Sequence, residues 1–123
     1  MPSIVKQRNT DTNRLPVLYI EGDRIDASNA DVFCDAMRSE LQTETGAVID
    51  FSAVEFIDSA GIAALVRALD LQHPEIAKIR LCAISAAPPA VSRILELVGL
   101  SQWVPIFDRT DEALNALSEK SGL

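Results

Sequence analysis

Within a short span, residues 46–69 change from the pattern of a buried strand to that of an amphipathic helix. The run Ala47-Val48-Ile49 is continuously apolar and lies between Gly46 and Asp50, which predicts a strand buried on both faces. A connector of mixed polarity follows. Ile62, Leu65, Val66 and Leu69 then recur at i, i+3, i+4 and i+7, one face of an amphipathic helix. Asp58-Ser59 stands directly before that face. This order puts the Ser59 hydroxyl at or beside the positive end of a helix.

The flanking segments repeat the alternation. Ser3 to Gln7 predicts an edge strand, Arg8 to Arg14 a polar turn, and Val17 to Ile20, opened by Pro16, the second arm of a hairpin. Ser28 reads as an N-cap with Asp31 as its capping-box partner, ahead of the stripe Ala30, Phe33, Cys34, Met37 and Leu41. The helix after Ser59 runs to about Asp70, and His73-Pro74 is a loop. Lys78 to Ile84 predicts a strand that Ser85 to Pro89 breaks. Pro88 and Pro89 suit the first turn of a helix with the face Val91, Ile94, Leu95 and Val98, ended by Gly99, with Leu100 folding back on Leu95. Val104 to Phe107 is a short strand, and Thr110 caps a helix carrying Asp111 and Glu112 in its first turn. The expected fold class is α/β, one domain over residues 1–123. It has a four- to five-stranded mixed sheet with parallel central strands, right-handed crossovers and about four helices.

With 123 residues and 48% hydrophobic content, the chain can bury a core of ordinary size. No apolar run approaches the roughly 18 residues that span a bilayer, and Met1 to Lys6 lacks a signal-peptide core, so no membrane insertion and a cytosolic location are expected. Cys34 and Cys82 lie inside apolar patterns and read as reduced packing residues. A formal charge of -7 disfavours a nucleic-acid partner and suits a partner with a basic surface. Chemistry of the chain's own is poorly supported. The single histidine, His73, sits in a loop with nothing to place it beside Ser59, and no glycine-rich phosphate loop or metal-ligand spacing is present. Asp50 at a strand end invites comparison with a receiver aspartate, but such a site needs further acids after the first strand and a lysine after the last, and here the last strand runs into Asp108-Arg109. No enzyme activity, cofactor or metal is expected.

From the residues alone, Ser59 has two readings. In one it is an ordinary helix cap, worth roughly 1 kcal/mol. Alternatively Asp58 does the capping, accepting from the N–H of Ala60 or Gly61, and the Ser59 hydroxyl faces solvent. Gly61 bears on the choice. A glycine in a first turn costs on the order of 0.5–1 kcal/mol against alanine, which points to something approaching the backbone closely.

The run Val48-Ile49-Asp50-Phe51 through Phe56-Ile57-Asp58-Ser59-Ala60-Gly61-Ile62 resembles the signature of the STAS domain, whose small members include the bacterial anti-sigma factor antagonists. Gly22-Asp23-Arg24-Ile25-Asp26 resembles the family's Gly-x-Leu-Asp element. Leu81 to Ser85 and Ile94 to Leu100 resemble its later strand and helix end. The likeness covers about residues 16–119, with residues 1–15 as an N-terminal strand and turn extension. It implies that Ser59 is a phosphoacceptor. The unmodified chain would bind an anti-sigma factor with a GHKL-type serine kinase fold and free a sigma factor. Phosphorylation would release the chain, and a serine phosphatase would reset it. The implied partner surface is Asp26, Asp58, Ser59, Gly61 and Ile62. Ala60 stands where many such antagonists carry a second Ser or Thr. The Ala60-Gly61 pairing suits one alternative, a non-phosphorylated STAS subunit of a lipid-transport ABC system; a STAS switch in another bacterial signalling pathway is a further alternative.

Overall fold

A computed structural model of the chain describes residues 3–8, 15–73, 75 and 81–121. The central strand, β4 (Gly46–Asp50), is buried at every position. It pairs in parallel with β2 (Pro16–Glu21) on one side and β6 (Leu81–Ser85) on the other. β1 (Ser3–Arg8) adds to β2 antiparallel, and β7 (Ile106–Phe107) adds to β6 in parallel, giving a five-stranded mixed sheet in the order β1-β2-β4-β6-β7. The expected α/β fold with parallel central strands is the one found.

Period-two alternation along β4 sends its side chains to two cores. Ala47 and Ile49 face the larger, shared with α1 (Ala30–Leu41), α2 (Ser59–Ala68) and α3 (Pro89–Leu97). Val48 faces the smaller, where Val17 and Ala83 meet Ala113 and Leu117 of α4 (Thr110–Ser121). A strand covered on both sides must be apolar throughout, which is why the run was legible. The predicted α1 stripe of Ala30, Phe33, Cys34, Met37 and Leu41 is buried as a set.

Three local expectations change. Ser28 does not cap α1: Asn29 is the N-cap and makes no side-chain cap bond, because its Oδ1 accepts from the Asp26 N–H and its Nδ2 donates to the Arg24 carbonyl, while the Ser28 hydroxyl donates to the Asp26 carboxylate. Val98 is exposed rather than on the buried face, because α3 stops at Leu97 and Gly99 turns the chain at φ +80, a left-handed conformation that favours glycine. Gly99 leads into a 3₁₀ turn, Leu100–Gln102, that buries Leu100. Thr110 is the first residue of α4, with its hydroxyl engaged elsewhere. Strand lengths also differ. The β7 strand is confined to Ile106–Phe107, and of the strand expected from Lys78, residues 78–80 lie outside the described residues, as does Pro74.

The hydroxyl of Thr110 donates to Asp50 Oδ2 at 2.7 Å, across sixty residues of sequence. Asp50 Oδ1 accepts from the Ser52 N–H at 2.8 Å. Thr110 has one proton and gives it to the carboxylate, so at the 2.7 Å contact with Ser85 the Ser85 hydroxyl is the donor. Asp50 and Ser85 are both buried, and these bonds satisfy them at the ends of β4 and β6. Asp50 therefore ties α4 to the sheet. Thr110→Val should cost about 1–3 kcal/mol in a urea melt, because it strips a buried acceptor of its donor, whereas Thr110→Ser should cost far less.

Candidate functional site

Outside the main sheet, β3 (Arg24–Ile25) and β5 (Phe56–Ile57) form a two-stranded parallel ribbon. Arg24 lies beside Phe56 and Ile25 beside Ile57. The Glu55 and Phe56 N–H groups donate to the Asp23 carbonyl, and the Asp58 N–H donates to the Ile25 carbonyl at 3.3 Å. Ile25 and Ile57 point into the core, leaving Arg24 and Phe56 exposed. The next residue on each strand is an aspartate, so Asp26 and Asp58 come to the same end of the ribbon, where α2 starts. The two motif loops thus converge.

Asp58 is the N-cap of α2: its backbone is extended and Oδ1 accepts from the Gly61 N–H at 2.9 Å. Ser59 is the first helical residue and is exposed, with its hydroxyl held by no hydrogen bond among the described residues. Capping is therefore the work of Asp58. Gly61 is buried. A Cβ there would lie 2.5 Å from the Ile25 carbonyl oxygen and 2.7 Å from Ile57 Cγ1. The close approach that this glycine signals comes from the chain's own ribbon. Ile62 is half-buried, packed against the main core and reaching the surface along the α2 face.

Asp26 is held from three sides. Its carboxylate accepts from the Ser28 hydroxyl, from the Ser28 N–H at 3.0 Å and from Arg24 Nε at 3.1 Å. The Ser28 hydroxyl, above all, and the Arg24 charge hold its carboxyl below the ordinary value against partial desolvation. A depressed carboxyl favours the folded loop above the ordinary carboxylate range and loses that contribution as pH falls from that range through its own lowered value. At neutral pH Asp26 is an anion. The Arg24 guanidinium also sits 4.8 Å from the centroid of the exposed Phe56 ring.

The chain matches the STAS domain family over residues 3–113. It belongs to that family. Among solved structures, this STAS chain is similar to an anti-sigma factor antagonist from Mycobacterium paratuberculosis, with 26% identity and a TM-score of 0.77 over 95% of this chain and 94% of that one. The Bacillus cell fate determinant SpoIIAA in its phosphorylated form has the same fold at 16% identity and TM-score 0.59, covering 92% of this chain and 99% of that one. So does part of the murine anion transporter Slc26a9, at 15% identity and TM-score 0.72, with 96% of this chain matched to 22% of the transporter. Among the described residues of the STAS chain, no helix is long and apolar enough to cross a membrane.

Sequence reading missed the ribbon and with it Arg24 and Phe56. Two-residue strands carry no periodicity, but a signal was present. Arg24-Ile25-Asp26 and Phe56-Ile57-Asp58 are the same Ile-Asp step used twice, once on each strand.

Two stability measurements check this geometry. Asp58→Ala should cost about 0.5–2 kcal/mol while Ser59→Ala stays within about 0.5 kcal/mol of the parent, since only the first removes a cap. Gly61→Ala should destabilise by about 1–3 kcal/mol through overpacking against Ile25 and Ile57, even though alanine is the better helix former. Equal losses at Asp58 and Ser59, or a more stable Gly61→Ala, would contradict the assignment.

Proposed function

We propose that this STAS protein is an anti-sigma factor antagonist whose partner affinity is set by phosphorylation of Ser59. In this reading, the unmodified chain docks on an anti-sigma factor of the GHKL serine-kinase type in the cytosol through the surface of Asp26, Asp58, Ser59 and Ile62. The observation that carries the reading is the division of labour at α2. Asp58 caps the helix, so the exposed Ser59 hydroxyl has no structural task and can be modified without loss of the fold. Gly61 serves this surface indirectly, by letting the ribbon and α2 approach. The likeness to an anti-sigma factor antagonist and to a phosphorylated SpoIIAA supports the choice of partner class.

The switch would be electrostatic. The kinase transfers the γ-phosphoryl group of ATP to Ser59 Oγ, breaking the bond to the ADP oxygen, and the serine proton leaves to a base on the kinase. Phosphoserine adds about -1.5 to -2 charges beside Asp58 and close to ionised Asp26, inside a contact that must be dry to be tight. A serine phosphatase reverses the change by hydrolysis.

The test uses each purified GHKL-type serine kinase encoded by the source organism. One of them should bind the unmodified chain and, with ATP and magnesium, place one phosphate on Ser59 by mass spectrometry. Ser59→Ala should bind that kinase and stay bound in ATP. Ser59→Asp should bind at least tenfold more weakly, which is about 1.4 kcal/mol. Absence of binding to every such kinase, or recovery of transporter components as the stable partners, would overturn the reading in favour of a transporter-associated STAS role. The similarity to part of Slc26a9 and the alanine at position 60 are the features that favour that rival.

A further inference from the structure

On α2, Ser59, Ile62 and Val66 fall at i, i+3 and i+7, which places them along one stripe of the helix. Ile62 and Val66 form one wall of an open cleft of about 230 Å³. Buried Leu71 and Leu100 and exposed Val98 and Trp103 line it too. Val98 and Trp103 are each 54% exposed, and the neighbouring Leu97 is 75% exposed. Two of the five large exposed apolar side chains among the described residues thus line this cleft, and a third, Leu97, adjoins one of them in sequence. Val98 and Trp103 stand on either side of Gly99 and the 3₁₀ turn, at the exit of α3.

We propose that this cleft is the groove in which the partner that reads Ser59 seats the apolar face of one of its own helices. This inference rests on the kinase reading above. It extends the contact from the polar end of α2 to an apolar anchor site. Two observations favour the occupant. The first is continuity, because the stripe that begins at Ser59 becomes the groove wall at Ile62, with no other element between them. The second is extent. A stable interface takes about 20–30 residues a side around a desolvated apolar centre, which the small polar patch at the start of α2 cannot supply. An apolar ridge of i, i+3, i+4 residues fits a groove between two helices. The net charge of -7 and the acids at the Ser59 end call for basic residues on the end of that helix nearest Ser59. Phosphorylation would then place its charge at the mouth of the groove, where the seated helix must pass.

Trp103 is the chain's single tryptophan, so 5-fluorotryptophan labelling gives one ¹⁹F reporter inside the groove. The labelled chain is titrated with the kinase that binds it, beside unlabelled Val98→Asp, Trp103→Ala and Ser59→Asp variants. Each variant is first checked by circular dichroism and urea melt. The proposal expects the Trp103 resonance to shift and lose solvent-isotope sensitivity on binding. It also expects Val98→Asp and Trp103→Ala to weaken binding at least tenfold with folding intact. Parental affinity in both groove variants, together with weakened Ser59→Asp, overturns the groove and leaves the kinase reading standing. A resonance that moves with the concentration of the chain alone assigns the groove to a second copy and overturns the proposal. Absence of binding by every kinase overturns both.

Discussion

The Ile25 carbonyl oxygen is the point at which two distant parts of the chain are fastened. It accepts from the Asp58 N–H, and it occupies the space that a side chain at position 61 would need. The hydrogen bond fixes the register of the ribbon, so Asp26 and Asp58 come to the same end of it. The glycine lets α2 start directly against that ribbon. Any other residue at position 61 would push the helix start away from Ile25 and Ile57, and Ser59 would move with it. The exposed serine is therefore positioned by a backbone contact, which is stiffer than a side-chain contact because it has no rotamers to lose.

Much of the fold was legible because burial forces composition. A central strand between two helical layers must be apolar, and an amphipathic helix must repeat its apolar positions, so Ala47 to Ile49 and the α1 stripe identify themselves. Capping was less legible. Ser28 and Thr110 carry the chemistry of caps, but each hydroxyl is taken by an aspartate, Asp26 and Asp50, whose position only the tertiary structure reveals.

The site was legible by halves. Asp58 and Ser59 declare themselves by standing before a helix, and the residues narrow their roles to two alternatives that the Asp58 to Gly61 bond separates. Gly61 announced a close approach without naming what approaches. Arg24, Phe56 and the wall of exposed apolar residues near Trp103 could not be found by periodicity, since they sit on two-residue strands and at a helix exit. Arg24 and Phe56 are fixed by long-range pairing, and Trp103 by an irregular turn after a helix, and neither leaves a periodic trace.

The tie between Asp50 and Thr110 also bears on how the chain reaches its native state. It joins groups sixty residues apart, and the core under α4 is built from Val17, Val48 and Ala83, each on a different strand. Parallel pairing of β2, β4 and β6 closes long loops before any of it is repaid, which slows folding. Until α4 docks, one face of the sheet shows its valines and alanine to water. During synthesis that interval lasts at least until the ribosome has released α4, and a nascent chain in that state presents a flat apolar surface to chaperones and to its neighbours.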